Sequence, residues 1–129
     1  MNKKISFLPL TLLAVFLISG CSFQSIRQTV SAKDVYTITL TKSSANIVTK
    51  EGEITSKNTT IDMLLKAANI PFQSVERGGA EIITELDGVL STASKRWNLY
   101  INNQKKDIVK LSDTQIKMED KIEWKYEQQ

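Results

Sequence analysis

The 129-residue chain contains no histidine and a single cysteine, Cys21. Without imidazoles or a set of thiolates, zinc, haem and iron–sulfur centres lack their usual ligands. The same two absences remove Cys-His and Ser-His-Asp nucleophilic machinery, leaving Ser-Lys or paired-carboxylate schemes as the remaining catalytic chemistry. A lone cysteine also forbids an intrachain disulfide, so the hydrophobic core must hold the fold by itself. Apolar length is short too. The stretch from Ile5 to Ile18 carries Pro9 and falls below the ~20 residues a membrane-spanning helix needs. Strong charge of one sign is missing: 17 Lys and Arg stand against 14 Asp and Glu. The basic pairs Lys95-Arg96 and Lys105-Lys106 lie among scattered acids and read as solvated loops, not as the clustered basic face of a nucleic-acid binder. No nucleic-acid partner, no metal and no enzymatic activity are expected.

What is present begins at the N-terminus. Lys3 and Lys4, the apolar stretch and the small residues Ser19 and Gly20 follow the charged-apolar-small layout of a secretory signal. The segment Ile18-Ser19-Gly20-Cys21 resembles the lipobox of bacterial lipoproteins. The resemblance implies that residues 1–20 are a cleaved signal peptide and that Cys21 is the lipid attachment site. It also implies an exported protein, lipid-anchored to the bacterial cell membrane with its domain outside the cytoplasm. Two or more acyl chains, at ~0.8 kcal/mol per buried methylene, hold a protein on a bilayer where one chain binds marginally. Ser22 resembles the residue that sorts such proteins to the outer membrane where there are two membranes. Removing residues 1–20 takes away two of the lysines, leaving 15 basic and 14 acidic side chains and a formal charge of +1.

Residues 21–34 comprise the lipidated cysteine and a flexible tether. They contain serines, glutamines, a threonine and few large apolar side chains, without sustained periodicity, and reach on the order of 20 Å from the membrane. One small domain is expected over residues 35–129. Val35 to Lys42 alternates, with Tyr36, Ile38 and Leu40 on one face and Thr37, Thr39 and Thr41 on the other, the period of a half-buried strand. A second strand is expected over Ala45 to Val48, followed by a turn-prone Lys50-Glu51-Gly52-Glu53. A helix of about three turns is expected to start at Thr59, whose hydroxyl can cap the first turn, with Ile61, Leu64, Leu65 and Ala68 as its apolar stripe. Asn69 in the left-handed conformation and Pro71 end it. Glu81 to Leu86, Trp97 to Ile101 and Ile122 to Tyr126 read as further strands, with turns at Gly78-Gly79, Asp87-Gly88 and Asn102-Asn103. Strands around one helix predict an α+β class, a small β-grasp-like mixed sheet with one packed helix.

Two segments, Trp97-Asn98-Leu99-Tyr100-Ile101-Asn102-Asn103 and Met118-Glu119-Asp120-Lys121-Ile122-Glu123-Trp124-Lys125-Tyr126, carry a further resemblance. With Asp62-Met63-Leu64-Leu65 and Leu86-Asp87-Gly88 before them, they resemble the C-terminal domain of transcobalamin and intrinsic factor and related bacterial exported domains. Asn103 departs from the glycine usual there, Glu119-Asp120-Lys121 replaces a glycine-aspartate step, and Leu99 stands where an aromatic is usual. The resemblance implies a β-grasp domain that caps one face of cobalamin. No separate cofactor is implied beyond the covalent lipid at Cys21, with cobalamin as a possible ligand. Residues that could meet a ligand are Trp97, Asn98, Tyr100, Asn102 and Asn103; equally, Trp97 can be core, Tyr100 sheet surface, and the asparagines turn-formers. Anchor and resemblance together imply a membrane-anchored extracytoplasmic binding module, an accessory for capture or uptake of a corrinoid or similar solute. The alternative is a protein–protein interaction or adhesion module of the cell envelope, using strand addition to the threonine-rich first strand. Glu81, Glu85 and Asp87 are the carboxylates that an enzymatic reading would use.

Overall fold

The structure, a computed structural model, describes residues 32–129. The expected signal segment, Cys21 and most of the tether lie outside the described residues. In chain order the elements are β1 (Asp34–Ser43), β2 (Asn46–Ile54), β3 (Thr59–Thr60), α1 (Ile61–Ala67), β4 (Phe72–Arg77), β5 (Ala80–Leu86) and β6 (Val89–Leu90). There follow β7 (Lys95–Ile101), β8 (Gln104–Lys106), a 3-10 turn at Leu111–Asp113, β9 (Gln115–Ile116) and β10 (Ile122–Gln128).

The alternation in β1 sends Tyr36, Ile38 and Leu40 into the core and leaves Thr37, Thr39 and Thr41 on the opposite face. β1 pairs in parallel with β10, Ile38 beside Ile122 and Leu40 beside Trp124, so the first and last strands form the middle of the main sheet. Its order is β2-β1-β10-β7-β8, and every pair except β1 with β10 is antiparallel. A mixed five-stranded sheet with one short helix packed on it is the expected β-grasp-like α+β arrangement. The described residues are mostly β, with small satellite sheets of β4-β5-β6 and β3-β9. Because β1 is paired on both sides, strand addition to it is excluded; the outer strands of the main sheet are β2 and β8.

The helix is shorter than expected and starts one residue later. Thr60, not Thr59, is the N-cap, and its hydroxyl bonds the Asp62 carboxylate (2.5 Å) instead of a main-chain amide. Thr59 is buried, donates to the Ser56 carbonyl and pairs with Ile116. At the other end Asn69 does adopt positive φ (54°), and the bonds Asn69 N to Lys66 O and Ile70 N to Leu65 O complete a Schellman motif. That closure stops the helix after two turns and turns Ile70 into the core.

The expected turn at Lys50-Glu51-Gly52-Glu53 is instead continuous strand, paired with β1 from Asn46 through Ile54. Gly52 is there for packing: a Cβ at this position would lie 3.0 Å from both the Ala67 Cβ and the Ala68 nitrogen, so the end of α1 rests directly on the β2 backbone. β4 is an element without a counterpart in the sequence reading. It lies at the edge of its small sheet with mostly exposed side chains and so carries little apolar alternation.

Candidate functional site

The five residues singled out on β7 and its turn occupy three different places. Trp97 is core, 5% exposed, its ring 5.3 Å from that of Tyr126 and its Nε1 donating to the Val89 carbonyl at 3.0 Å. Asn98 and Tyr100 stand on the opposite sheet face, where both donate to the same Glu127 oxygen, at 3.0 and 2.5 Å. The Lys125 ammonium covers the Tyr100 ring at 4.5 Å. The hydrogen bond to Glu127 pushes the Tyr100 phenol above its usual range, since losing the proton would set two anions together. Asn102 and Asn103 form the β7–β8 turn with φ of 53° and 64°. Their amides are engaged there: Asn102 donates to Asp120 and accepts from the Lys121 amide, and Asn103 accepts from the Lys121 ammonium. The Tyr100 hydroxyl and ring and the side-chain oxygens of both turn asparagines thus have partners within the chain.

Of the three carboxylates considered for catalysis, Asp87 and Glu81 have separate partners. Asp87 is gripped by Lys42 and Lys50, each at 2.9 Å, and these hydrogen bonds hold its carboxyl below the usual range. Glu81 accepts from the Ser74 hydroxyl at 2.6 Å and from the Leu111 amide at 2.7 Å, pinning the 3-10 turn to β5. Among the described residues, no group of three or more His, Cys, Asp or Glu side chains gathers as a metal site would require.

A concave site does exist where the two larger sheets meet. β8 pairs with β7 only over Leu99 to Ile101, so the Lys95–Asn98 half of that edge has no strand beside it among the described residues. Between this half-edge and β5 lies a cleft of about 290 Å³. Ile82 and Ile108, half-buried, give it an accessible apolar wall over a buried floor of Ile83, Leu99 and Trp124. Arg96, Lys105 and Lys106 bring positive charge to it beside the acids Glu81 and Asp107. Trp97 and Asn98 also line it, so two of the five expected residues belong to the cleft while Tyr100, Asn102 and Asn103 do not. The sequence reading missed Arg96, Lys105 and Lys106 as site residues. Their one signal was the two basic pairs, and nothing local shows that the pairs flank a gap in a sheet.

No family model matches the chain, and no curated protein matches it. Among solved structures, it is similar to a candidate metal-binding protein from Ruminococcus gnavus ATCC 29149, whose crystal structure is known at 1.30 Å. The TM-score is 0.59 at 14% identity, with 74% of this chain and 98% of that one covered. At that identity the likeness is one of fold.

Proposed function

We propose that this chain is an exported, lipid-anchored binding module that takes its ligand in the cleft between β5 and β7. The observation that carries the reading is the cleft itself: an apolar wall beside an unpaired stretch of strand, with cations at its margin. Export and anchoring rest on the lipobox-like Ile18-Ser19-Gly20-Cys21. The cleft is at the small end of ligand pockets, which run from ~300 to ~1,000 Å³, and so favours a slender ligand over a corrinoid. Corrinoid capture rests on the resemblance to the transcobalamin domain, whose aromatic position is here the internally bonded Tyr100. Metal binding, the property ascribed to the Ruminococcus protein, does not fit the residues present: the chain lacks histidine and gathers no acidic cluster among the described residues.

Two measurements test the proposal. Growth with radiolabelled palmitate should label the wild type and not Cys21→Ser; equal labelling of the two removes the anchor. Titration of the full chain with cobinamide and a panel of small organic acids, followed through main-chain amide shifts, should perturb Arg96, Trp97 and Lys105 together. Ligands that bind yet never perturb those residues would place the site elsewhere. A second reading, an interaction module for another envelope protein, is favoured by β2, a nine-residue outer strand with Ile47 59% exposed.

A further inference from the structure

We infer that the cleft beside β7 seats an extended acidic peptide, added as a strand at Trp97. The inference rests on the binding reading above and names the ligand class of the same site. In an antiparallel ladder, successive residues turn their main-chain groups to opposite sides. The bonds Asn102 N to Lys121 O and Gln129 N to Ser94 O fix the even-numbered residues from Ser94 to Asn102 as the ones facing β10. The odd-numbered residues face the other way. Leu99 and Ile101 meet β8 there, opposite Lys106 and Gln104. Lys95 bonds Thr92, its carbonyl accepting from the Thr92 amide at 2.8 Å and its amide donating to the Thr92 hydroxyl at 3.0 Å.

Trp97 alone is left over. Its main-chain N–H and C=O point into the cleft with no partner among the described residues. They form one open rung of a ladder, the donor and acceptor pair that a peptide backbone complements. The surroundings define the rest of the ligand. The half-buried Ile82 and Ile108, above a buried floor of Ile83, Leu99 and Trp124, meet one aliphatic side chain of the ligand, and Trp124 buries an indole N–H that is itself unpartnered among the described residues. Arg96, Lys105 and Lys106 stand against two acids, Glu81 and Asp107, a side-chain balance of +1. That balance favours carboxylates on the incoming strand.

The probe is a fluorescein-labelled hexapeptide of alternating valine and glutamate, blocked at both ends, added to the full chain in mild detergent. Saturable fluorescence polarisation is expected. N-methylation of each central amide in turn should weaken binding at least tenfold at one position, and exchanging glutamate for lysine should weaken it at least tenfold. The Trp97 amide should exchange quickly in the free chain and slowly in the complex. The double substitution Arg96→Glu with Lys105→Glu, on exposed or half-exposed side chains, should weaken binding without lowering thermal stability.

The inference is overturned if no N-methyl position matters, if the free Trp97 amide is as protected as that of Leu99, or if the peptide fails to bind at millimolar concentration. Small acids that perturb Arg96 and Trp97 while the peptide fails would overturn the peptide and keep the cleft as a binding site. Peptide binding that perturbs β2 and not Trp97 would overturn both this inference and the cleft as the seat.

Discussion

Asp87 concentrates several duties in one residue. It takes positive φ (49°) at the first position of the β5–β6 turn, and its carboxylate joins Lys42 and Lys50 from the far hairpin. Asn tolerates the left-handed region about as well, so Asp87→Asn isolates the charge from the backbone. Hydrogen bonds to charged groups contribute ~1.5–3 kcal/mol where solvent is excluded, and these three side chains are about a fifth to a third exposed. The expected loss is about 1–2 kcal/mol at pH 7, read as a lower urea midpoint at unchanged slope. The pH dependence has a defined sign. The folded carboxyl titrates below its unfolded value, so its contribution is complete above roughly pH 4 and is lost as the pH falls through the folded value. Wild type and variant should accordingly converge in stability in strong acid; a gap that persists there would mean the lysines are not the cause. At this scale the turn was legible, because Asp-Gly and Asn-Asn carry their own turn chemistry. The lysine partners were not, since Lys42 and Lys50 come from a different hairpin.

The helix shows how an element depends on its neighbours. Seven residues are too few to be stable alone in water, so α1 persists through Ile61, Leu64 and Leu65, all fully buried. The apolar stripe and the Asn69 stop were readable because both are local patterns. The start was misplaced by one residue because Thr59 and Thr60 carry the same side chain and both pair with β9. What separates them is that Thr59 is buried with its hydroxyl committed to the Ser56 carbonyl, while that of Thr60 bonds Asp62. Gly52 was misread because glycine signals a turn in sequence, while here it signals close approach of helix and strand. Gly52→Ala should gain strand stability of ~0.5–1 kcal/mol and lose ~1–3 kcal/mol to overpacking against the Ala68 nitrogen. A net loss of about 1 kcal/mol is expected in chemical denaturation, and a gain would show that the helix end gives way freely. Asn69→Ala should cost about 1–2 kcal/mol from left-handed strain, whereas Asn69→Gly should be close to neutral.

For the whole molecule, what matters is that the middle of the sheet is built from the two ends of the domain. Strand alternation showed that β1, β7 and β10 exist and which side chains they bury, but strand order is a property of distant pairings and no local pattern encodes it. β10 lies between β1 and β7 and contributes Trp124, fully buried, and Ile122 to the core. Without it Ile38, Leu40 and Leu99 would line an open gap, and β2-β1 would be separated from β7-β8. Burying one such large side chain stabilises by ~1.5–3 kcal/mol, and a domain of this size has only ~5–15 kcal/mol in total. Termination after Lys121 should therefore leave a chain with no cooperative unfolding transition, while removal of Gln129 alone should leave that transition in place. Closing the sheet last, by a pairing nearly the length of the domain, also places folding among the slow topologies, milliseconds to seconds. Stopped-flow refolding of the full chain in that range, together with a non-cooperative truncated chain, is the expected outcome. A truncated chain that still melts cooperatively would mean that β1 and β2 with α1 hold a core of their own, and that β10 completes the sheet without being required for it.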